Sequence, residues 1–373
     1  MNWFSGLCVV LLVATLPTDA SGRAKFELAH THDLTQDGLR LAEQAVVVDR
    51  GKMLFIGTSE RSAKPRAQVL RLRDYKRLGV TFPRGGSNRG DAQRNQRHDL
   101  AFFDNLSSRA GWFVTSSKSR QQRVQFVDVD VRNRRIMATE EVSRNDQTAQ
   151  PSEIRPLGFS PHSGDFHFTW RGYAEGASKP YGVELLRFDR NSRLHVIKTV
   201  HTAKRIHGIY YDRSGARALL AEYGAHPRKG AAPRGHLVSL RTGDLTSFPI
   251  PPTAYGFEFD EDGQTVYAYS SQLGQVWTID VERGQRVAKH RAGNLGHAFG
   301  RVLPGMLLLI RDHGLELLDQ RTRRRTGYLP MKKLGSSYAL TEGSLVVAGQ
   351  AIVRNGDALH FVRVTDTAVE KAE

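Results

Sequence analysis

The stretch Gly256-Phe-Glu-Phe-Asp-Glu-Asp-Gly-Gln-Thr-Val-Tyr-Ala-Tyr269 decides the fold of this 373-residue chain. It holds two short runs of strand-forming residues on either side of an Asp–Gly turn, and a third run, Val276-Trp-Thr-Ile-Asp280, follows it. The same phrase returns at Gly208-Ile-Tyr-Tyr-Asp-Arg-Ser-Gly215 and, more loosely, at Gly158-Phe-Ser-Pro-His-Ser-Gly164. A repeat of this size indicates an array of small sheets.

Seven such units divide the chain, and each offers an inner strand, a turn, a second strand, a loop and a third strand. The inner strands are expected at 45–49, 100–104, 157–160, 208–212, 256–259, 299–302 and 337–340. One small antiparallel sheet cannot bury both of its apolar faces by itself. Sheets that pack radially against one another bury both faces and leave only short edges.

This pattern resembles the β-propeller superfamily, in the broad group of WD-repeat-like and quinoprotein-dehydrogenase-heavy-chain-like propellers. The resemblance covers about residues 26–365 and implies an all-β, seven-bladed propeller of four-stranded antiparallel sheets. An N-terminal strand at 25–29 would close the ring against the last blade. The Trp-Asp dipeptide of true WD repeats is absent, so no scaffold role is carried over from WD proteins. The alternative is a pair of β-sandwiches or another multi-sheet fold.

The first twenty residues are predicted to be a signal peptide. Residues 7–16 form an apolar run that is too short to span a bilayer, which takes about 20 residues, and small residues follow near Ala20. We expect cleavage there, a propeller at 21–365 and a flexible tail at 366–373. No Lys or Arg precedes the run, so a buried strand or a membrane anchor stays the alternative.

Cysteine usage predicts a periplasmic or secreted location. Cys8, the only cysteine, lies inside the apolar run, so the cleaved chain would carry no disulfide and no thiol nucleophile. A core of this size needs no disulfide, which fits a periplasmic or secreted protein without a membrane span.

The chain carries a large positive charge. Its formal net charge is +16, and loss of residues 1–20, whose one charged side chain is Asp19, would make it +17. Such a charge predicts an anionic surface, glycan or protein as partner, although it also serves solubility. A nucleic acid is disfavoured, because no nucleic-acid-binding module is recognisable. We expect a monomer.

The inner strands point to one candidate site. In propellers their first residues ring the mouth of a central channel, and six units place Arg, His or Tyr there. The resemblance therefore implies a polar mouth that could hold a small anionic ligand. A water-filled channel is the alternative. The expected ligand-contacting residues are Arg155, Arg205, His207, Tyr255, His297 and Tyr338.

The turns between the last two strands of five units are rich in arginine, and in a propeller they would share one face. Ordinary solvated turns are the alternative to a functional basic face. The residues of this predicted basic face are Arg132, Arg134, Arg135, Arg193, Arg241, Arg283, Arg286, Arg321, Arg323, Arg324 and Arg325.

Signatures of catalysis are missing from the sequence. There is no Gly-x-Ser-x-Gly and no phosphate-binding glycine loop, and catalytic residues stay unknown. His30 and His32 could share a face of a strand, but we predict no metal and no cofactor. His226 and His236 flank a basic loop and are expected to be exposed. We predict an exported binding module; the alternative is a lactonase-like hydrolase or quinoprotein-like oxidoreductase that uses the channel mouth.

Overall fold

The computed structural model of the protein describes residues 24–37, 42–48, 53–58, 67–77, 96–103, 109–116, 122–130, 135–144, 154–159, 166–173, 181–188, 194–204, 206–224, 232–294, 296–335 and 344–367. These residues form antiparallel β-strands and two short 3-10 turns, Leu34–Asp37 and Met331–Leu334. Within these ranges no helix has the length and apolarity that crossing a bilayer requires.

The strands build four-stranded sheets that follow one another along the chain. The first strand of the chain is β1 (Ala24–Asp33). Sheet 1 contains β2 (Ala42–Val48), β3 (Met53–Thr58), β4 (Ala67–Arg71) and β5 (Lys76–Arg77). Sheet 2 contains β6 (Gln96–Phe103), β7 (Arg109–Ser116), β8 (Gln122–Asp130) and β9 (Arg135–Arg144). Sheet 3 contains β10 (Ile154–Phe159), β11 (Phe166–Tyr173), β12 (Tyr181–Phe188) and β13 (Leu194–Thr202).

The second half of the chain repeats this order. Sheet 4 contains β14 (Ile206–Tyr211), β15 (Arg217–Glu222), β16 (Arg234–Ser239) and β17 (Leu245–Pro249). Sheet 5 contains β18 (Ala254–Phe259), β19 (Thr265–Ser270), β20 (Gln275–Asp280) and β21 (Gln285–Arg291). Sheet 6 contains β22 (Gly296–Leu303), β23 (Met306–Arg311), β24 (Gly314–Asp319) and β25 (Arg325–Pro330). Sheet 7 contains β26 (Leu345–Val347), β27 (Gln350–Asn355), β28 (Ala358–Asp366) and β1.

The first strands of these seven sheets form a closed ring in the described part of the chain. Contacts run from β2 to β6, β10, β14, β18, β22 and β26 in turn, and β26 contacts β2 again. Radially arranged antiparallel sheets around a ring of inner strands are the architecture of a β-propeller, as the sequence predicts.

The N-terminal strand closes the ring. β1 pairs with β28 along its length, from Ala24 opposite Asp366 to Asp33 opposite Ala358. The strand predicted at 25–29 is therefore present, and it is longer than expected. It makes sheet 7 from both ends of the described chain.

The core lies between neighbouring sheets, as radial packing requires. Leu219 and Phe248 of sheet 4 pack with Phe257 and Phe259 of sheet 5, and all four are buried. Similar clusters join sheet 5 to sheet 6 and sheet 6 to sheet 7. Burial of apolar surface at about 25 cal/mol per Å² makes these contacts the main attraction between sheets.

One strand assignment from the sequence is wrong. Residues 337–340 were expected to form the inner strand of the last sheet, but its innermost strand is Leu345–Val347. Gln350–Asn355 was not predicted as a strand, yet its Ala351, Ile352 and Val353 are fully buried between two other strands. The two intervening turns are tight because Gly349 and Gly356 adopt φ angles of 72° and 55°. Tyr338 lies outside the described residues.

Candidate functional site

Three predicted mouth residues occupy the same irregular position in successive inner strands. The pairing of first and second strands skips one residue between Ile206 and Gly208, between Ala254 and Gly256, and between Gly296 and Ala298. The skipped residues are His207, Tyr255 and His297. A β-bulge leaves one residue out of the ladder and bends the strand, and bulges are common beside functional sites.

The same bulge occurs in sheet 1, where the sequence reading named no mouth residue. The register there shifts between Ala42 and Gln44, so Glu43 is the skipped residue. Val48 faces Met53 at the hairpin of sheet 1, and Asp260 is bonded to Thr265 at the hairpin of sheet 5. Counted back from Val48 and from Asp260, Glu43 and Tyr255 lie at the same position in their strands. Sequence spacing could have identified Glu43 only if the register of β2 with β3 had been known.

Close packing explains the glycine next to Tyr255. A Cβ added to Gly256 would lie 2.7 Å from the Cβ of Phe299 in sheet 6, closer than real side chains approach. The inner strands of sheets 5 and 6 are therefore held together at the level of the bulges. This contact fixes the backbone on which Tyr255 and His297 are presented.

The other predicted mouth residues are not brought together by the described structure. Arg155 lies in β10 opposite Thr169, and the bulge of that strand falls at Leu157 instead. Pro156 has no backbone N–H, so the strand cannot continue a regular ladder there. Arg205 lies outside the described residues, as Tyr338 does, and of His207 and His297 the structure describes the strand position alone.

Tyr255 is the mouth residue whose surroundings are described. Its side chain is 49% exposed, and the Tyr210 hydroxyl donates to its backbone carbonyl over 3.3 Å. Partial burial raises the pKa of Tyr255, and a hydrogen bond with the Tyr223 side chain raises the pKa further. The phenol therefore stays neutral at physiological pH and acts as a hydrogen-bonding group rather than as an anion.

Several arginines of the predicted basic face lie in turns that the structure describes. Antiparallel strands alternate in direction, so the third-to-fourth turns of all sheets lie on the face opposite the bulges. The exposed arginines there are Arg241 in sheet 4, Arg283 and Arg286 in sheet 5, and Arg321, Arg323, Arg324 and Arg325 in sheet 6. Arg73, which was not predicted, lies in the matching turn of sheet 1, and its side chain is 76% exposed. Arg135 begins β9, and Arg132, Arg134 and Arg193 lie outside the described residues.

Two of these arginines stack on aromatic rings. The Arg286 guanidinium lies 4.5 Å from the ring centre of Trp277, and that of Arg325 lies 5.6 Å from the ring of Tyr328. Such cation–π contacts restrict the side chain and leave the charge in place. The face therefore presents some of its positive charges in fixed positions.

One arginine of this face has a costly backbone conformation. The third-to-fourth turns of sheets 1, 4, 5 and 6 each have four loop residues, and the fourth is left-handed. Gly243 and Gly284 hold this position in sheets 4 and 5, but Arg323, with φ 58°, holds it in sheet 6. A left-handed conformation costs a residue with a Cβ roughly 1–2 kcal/mol.

A buried polar chain in sheet 4 corrects another prediction. His236 was expected to be exposed, but it is buried, with Nδ1 2.8 Å from Ser247 Oγ and Nε2 3.2 Å from Glu222 Oε1. The second Glu222 oxygen accepts the backbone N–H of Arg234 over 2.9 Å. His236 faces the interior because it lies in the third strand, between β15 and β17. In the described part of the chain no group of three or more His, Cys, Asp or Glu side chains could hold a metal ion.

Comparison with known proteins supports the fold alone. No family model and no curated protein matches the chain. Among solved structures it is similar to the β-propeller domain of Cps50 (Swd1) from Myceliophteria thermophila, with a TM-score of 0.55 and 10% identity over 95% of this chain and 100% of that one. It is also similar to a chain of the mitotic checkpoint complex, with a TM-score of 0.58 and 10% identity over 98% of this chain and 99% of that one. The chain is a β-propeller.

Proposed function

We propose that this propeller is an exported binding module whose basic face docks onto an anionic surface, glycan or protein. The observation that carries the proposal is the turn of sheet 6, which presents Arg321, Arg323 and Arg324 close together in the sequence. All three are exposed, and within the described residues none of them has an ion-pair partner. The propeller fold supports the same reading, because it presents broad faces built from turns.

The acidic residue of that turn does not neutralise the arginines. Asp319 is buried, and its Oδ1 accepts from the Thr322 backbone N–H over 2.6 Å and from the Thr322 hydroxyl over 3.0 Å. The carboxylate therefore holds the turn in shape. A rigid turn with uncompensated charges is suited to an anionic partner, because little side-chain and loop entropy is lost on binding.

Salt-dependent binding tests this function. Immobilised heparin and vesicles containing phosphatidylglycerol serve as probes, and we expect binding to weaken steeply as salt rises. Arg323→Glu with Arg324→Glu should weaken binding to the responding probe at least tenfold. Lys332→Glu with Lys333→Glu makes the same charge change on the opposite face and should have a much smaller effect. Equal losses in both variants would mean that only net charge matters and would overturn the proposal.

A second candidate function is a small-ligand site at the channel mouth. The matching bulges at Glu43, His207, Tyr255 and His297 favour it, since four inner strands are bent at the same level. An anionic ligand or, for an enzyme, an ester or lactone substrate would bind there. His207→Ala and His297→Ala should abolish the mouth function and leave heparin binding unchanged. A loss of heparin binding in either variant would mean that the channel mouth and the basic face are not separate sites.

Export is the remaining part of the proposal. The apolar run at 7–16 and the small residues near Ala20 support cleavage by a signal peptidase. The full chain, expressed in a bacterium with a C-terminal tag, should be recovered from the periplasm with a new N-terminus close to Ser21. Leu11→Arg with Leu12→Arg should keep it in the cytosol. Recovery of the unaltered protein from the cytosol with Met1 still attached would refute export.

A further inference from the structure

Three large apolar side chains are exposed on the face opposite the basic face. Tyr223 is 45% exposed, Tyr255 49% and Leu273 36%, and they come from adjoining loops of sheets 4 and 5. We call these three residues the aromatic platform. Single exposed apolar residues are ordinary, but a group of them on one face marks an interaction site.

A strained residue joins the loops of the platform. Thr253 is β-branched, yet its φ is 51°, a conformation that such residues rarely adopt. Its backbone N–H donates to the carbonyl of Gly224, next to Tyr223, over 2.9 Å. Its own carbonyl accepts the N–H of Ser271, two residues before Leu273, over 3.3 Å. Thr253 itself lies two residues before Tyr255, so one residue links all three parts.

Side-chain hydrogen bonds also hold Thr253 in this conformation. The Thr253 hydroxyl donates to the carbonyl of Pro252 over 2.7 Å, and the Ser270 hydroxyl donates to the same carbonyl over 2.6 Å. Strain of about 1–3 kcal/mol persists where the surroundings over-determine a conformation, which is typical of binding sites. The result is a fixed arrangement of loops rather than a compliant one.

The two tyrosines of the platform support each other. A hydrogen bond joins the side chains of Tyr223 and Tyr255. The Tyr210 hydroxyl donates to the backbone carbonyl of Tyr255. Rings that are ordered before binding lose little entropy on binding, and tyrosine is enriched among the residues that dominate interfaces. The platform is therefore ready to cover an apolar side chain of a partner.

Charge around the platform indicates what the partner carries. Arg234, Arg291, Lys332 and Lys333 are exposed on the same face, at strand ends or in the 3-10 turn of sheets 4 to 6. Two carboxylates on that face are buried and paired internally, and that of Asp312 is partly exposed. Glu222 contacts His236, and Glu316 contacts Arg311 over 3.0 Å.

We propose that the aromatic platform docks an extended acidic peptide segment of a partner protein. An aromatic or aliphatic side chain of that segment lies against Tyr223, Tyr255 and Leu273, and acidic residues on either side of it face the surrounding cations. The site is separate from the basic face, and it shares Tyr255 with the channel mouth. It depends on the loops of sheets 4 and 5.

Binding of three fluorescein-labelled peptides tests this site. Each is nine residues long, with Asp and Glu on both sides of a central Trp, Leu or Ala. We expect the Trp and Leu peptides to bind and the Ala peptide to bind at least tenfold more weakly. Tyr223→Ala with Tyr255→Ala should lower the affinity for the Trp peptide at least tenfold, and Leu273→Ser should lower it at least threefold.

Matched variants separate binding from folding. Arg323→Glu with Arg324→Glu on the basic face should leave Trp-peptide affinity within twofold, and the platform variants should leave heparin binding within twofold. Thr253→Gly keeps the left-handed conformation without strain, so it should raise Tm and still lower peptide affinity, because the loops become more mobile. Equal affinity for all three peptides would overturn the proposal. So would a dimer of the native protein that the two tyrosine substitutions dissociate, because a second copy would then be the occupant.

Discussion

The guanidinium of Arg217 in sheet 4 donates to the backbone carbonyl of Gly263 in sheet 5 over 2.8 Å. The same side chain donates through Nε to Asp212 Oδ2 over 3.0 Å, at the turn of its own sheet. Asp212 is only 4% exposed and also accepts the backbone N–H of Ala216. Arg217 therefore satisfies a buried carboxylate and ties the first turns of two neighbouring sheets together.

Loss of this link should destabilise the fold. Arg217→Ala leaves Asp212 buried with fewer donors, and we expect the free energy of unfolding to fall by about 1–3 kcal/mol. Arg213→Ala is the matched control, because its exposed ion pair with Glu261 spans 3.8 Å and contributes less than about 1 kcal/mol. Urea unfolding of both variants measures the difference. Equal losses would show that the bond to Gly263 is not a stabilising contact.

The strained arginine of the basic face should trade stability for binding. Arg323→Ala keeps the left-handed φ with a Cβ, whereas Arg323→Gly removes the steric cost, so the glycine variant should be the more stable by about 1 kcal/mol. Both variants lose the same charge and should lose the same heparin affinity. Thermal unfolding and heparin binding measured together check both halves. A glycine variant no more stable than the alanine variant would mean that the turn carries no strain.

Glu258 should make the stability of the protein depend on pH. Its carboxylate lies between sheets 5 and 6, 3.7 Å from Arg301, and burial raises its pKa from 4.5 to about 7 against the opposing effect of Arg301. A raised pKa in the folded state means that folding favours the protonated form. The stabilising contribution is therefore complete below about pH 4.5 and disappears as pH rises through about 7.

Glu258→Gln should remove this dependence. The glutamine variant cannot ionise, so its stability relative to the native protein should rise between pH 5 and 8, by on the order of 1–3 kcal/mol. Glu282→Gln is the control, because Glu282 is exposed in another turn of sheet 5 and none of the described ion pairs joins it to Arg301. That variant should follow the native curve. Urea unfolding at several pH values gives both curves. A constant offset between the native protein and Glu258→Gln would contradict the shifted pKa.

Gly256 should tolerate no side chain. Gly256→Ala brings a Cβ to 2.7 Å from Phe299, and we expect the forced displacement to cost about 1–3 kcal/mol. Ala298 holds the corresponding place beside the bulge of sheet 6, so a Cβ is compatible with the bulge itself. The loss in Tm therefore reports the contact between sheets. An unchanged Tm would show that sheets 5 and 6 can separate at the mouth without cost.

The repeat phrase allowed the propeller to be predicted from sequence, because each sheet carries its own turn chemistry. Asp260 and Gly263 lie where a type I turn prefers them, and the strands on either side follow directly. The prediction failed in sheet 7, where the inner strand was expected at 337–340 and is found at Leu345–Val347. A three-residue inner strand carries too little alternation to be distinguished from a loop.

The sites were harder to predict because they depend on register and on backbone angles. Spacing alone placed His207, Tyr255 and His297 at strand starts, but only the pairing shows that all three are bulged. The left-handed Thr253 follows two prolines and leaves no residue-type signal, since such conformations favour glycine or asparagine. Arg323 was recognisable in hindsight, because aligned turns place Gly243 and Gly284 at its position.

The pairing of β1 with β28 joins the earliest strand of the described chain to its latest one. Ala24 cannot meet Asp366 until every intervening sheet has been synthesised, so this sheet is completed after the other six. In the growing chain, β1 therefore stays without its partner strand until β28 has been made. If the protein is exported, this delay keeps the ring open, and a chain that is still open can be threaded through a translocation pore.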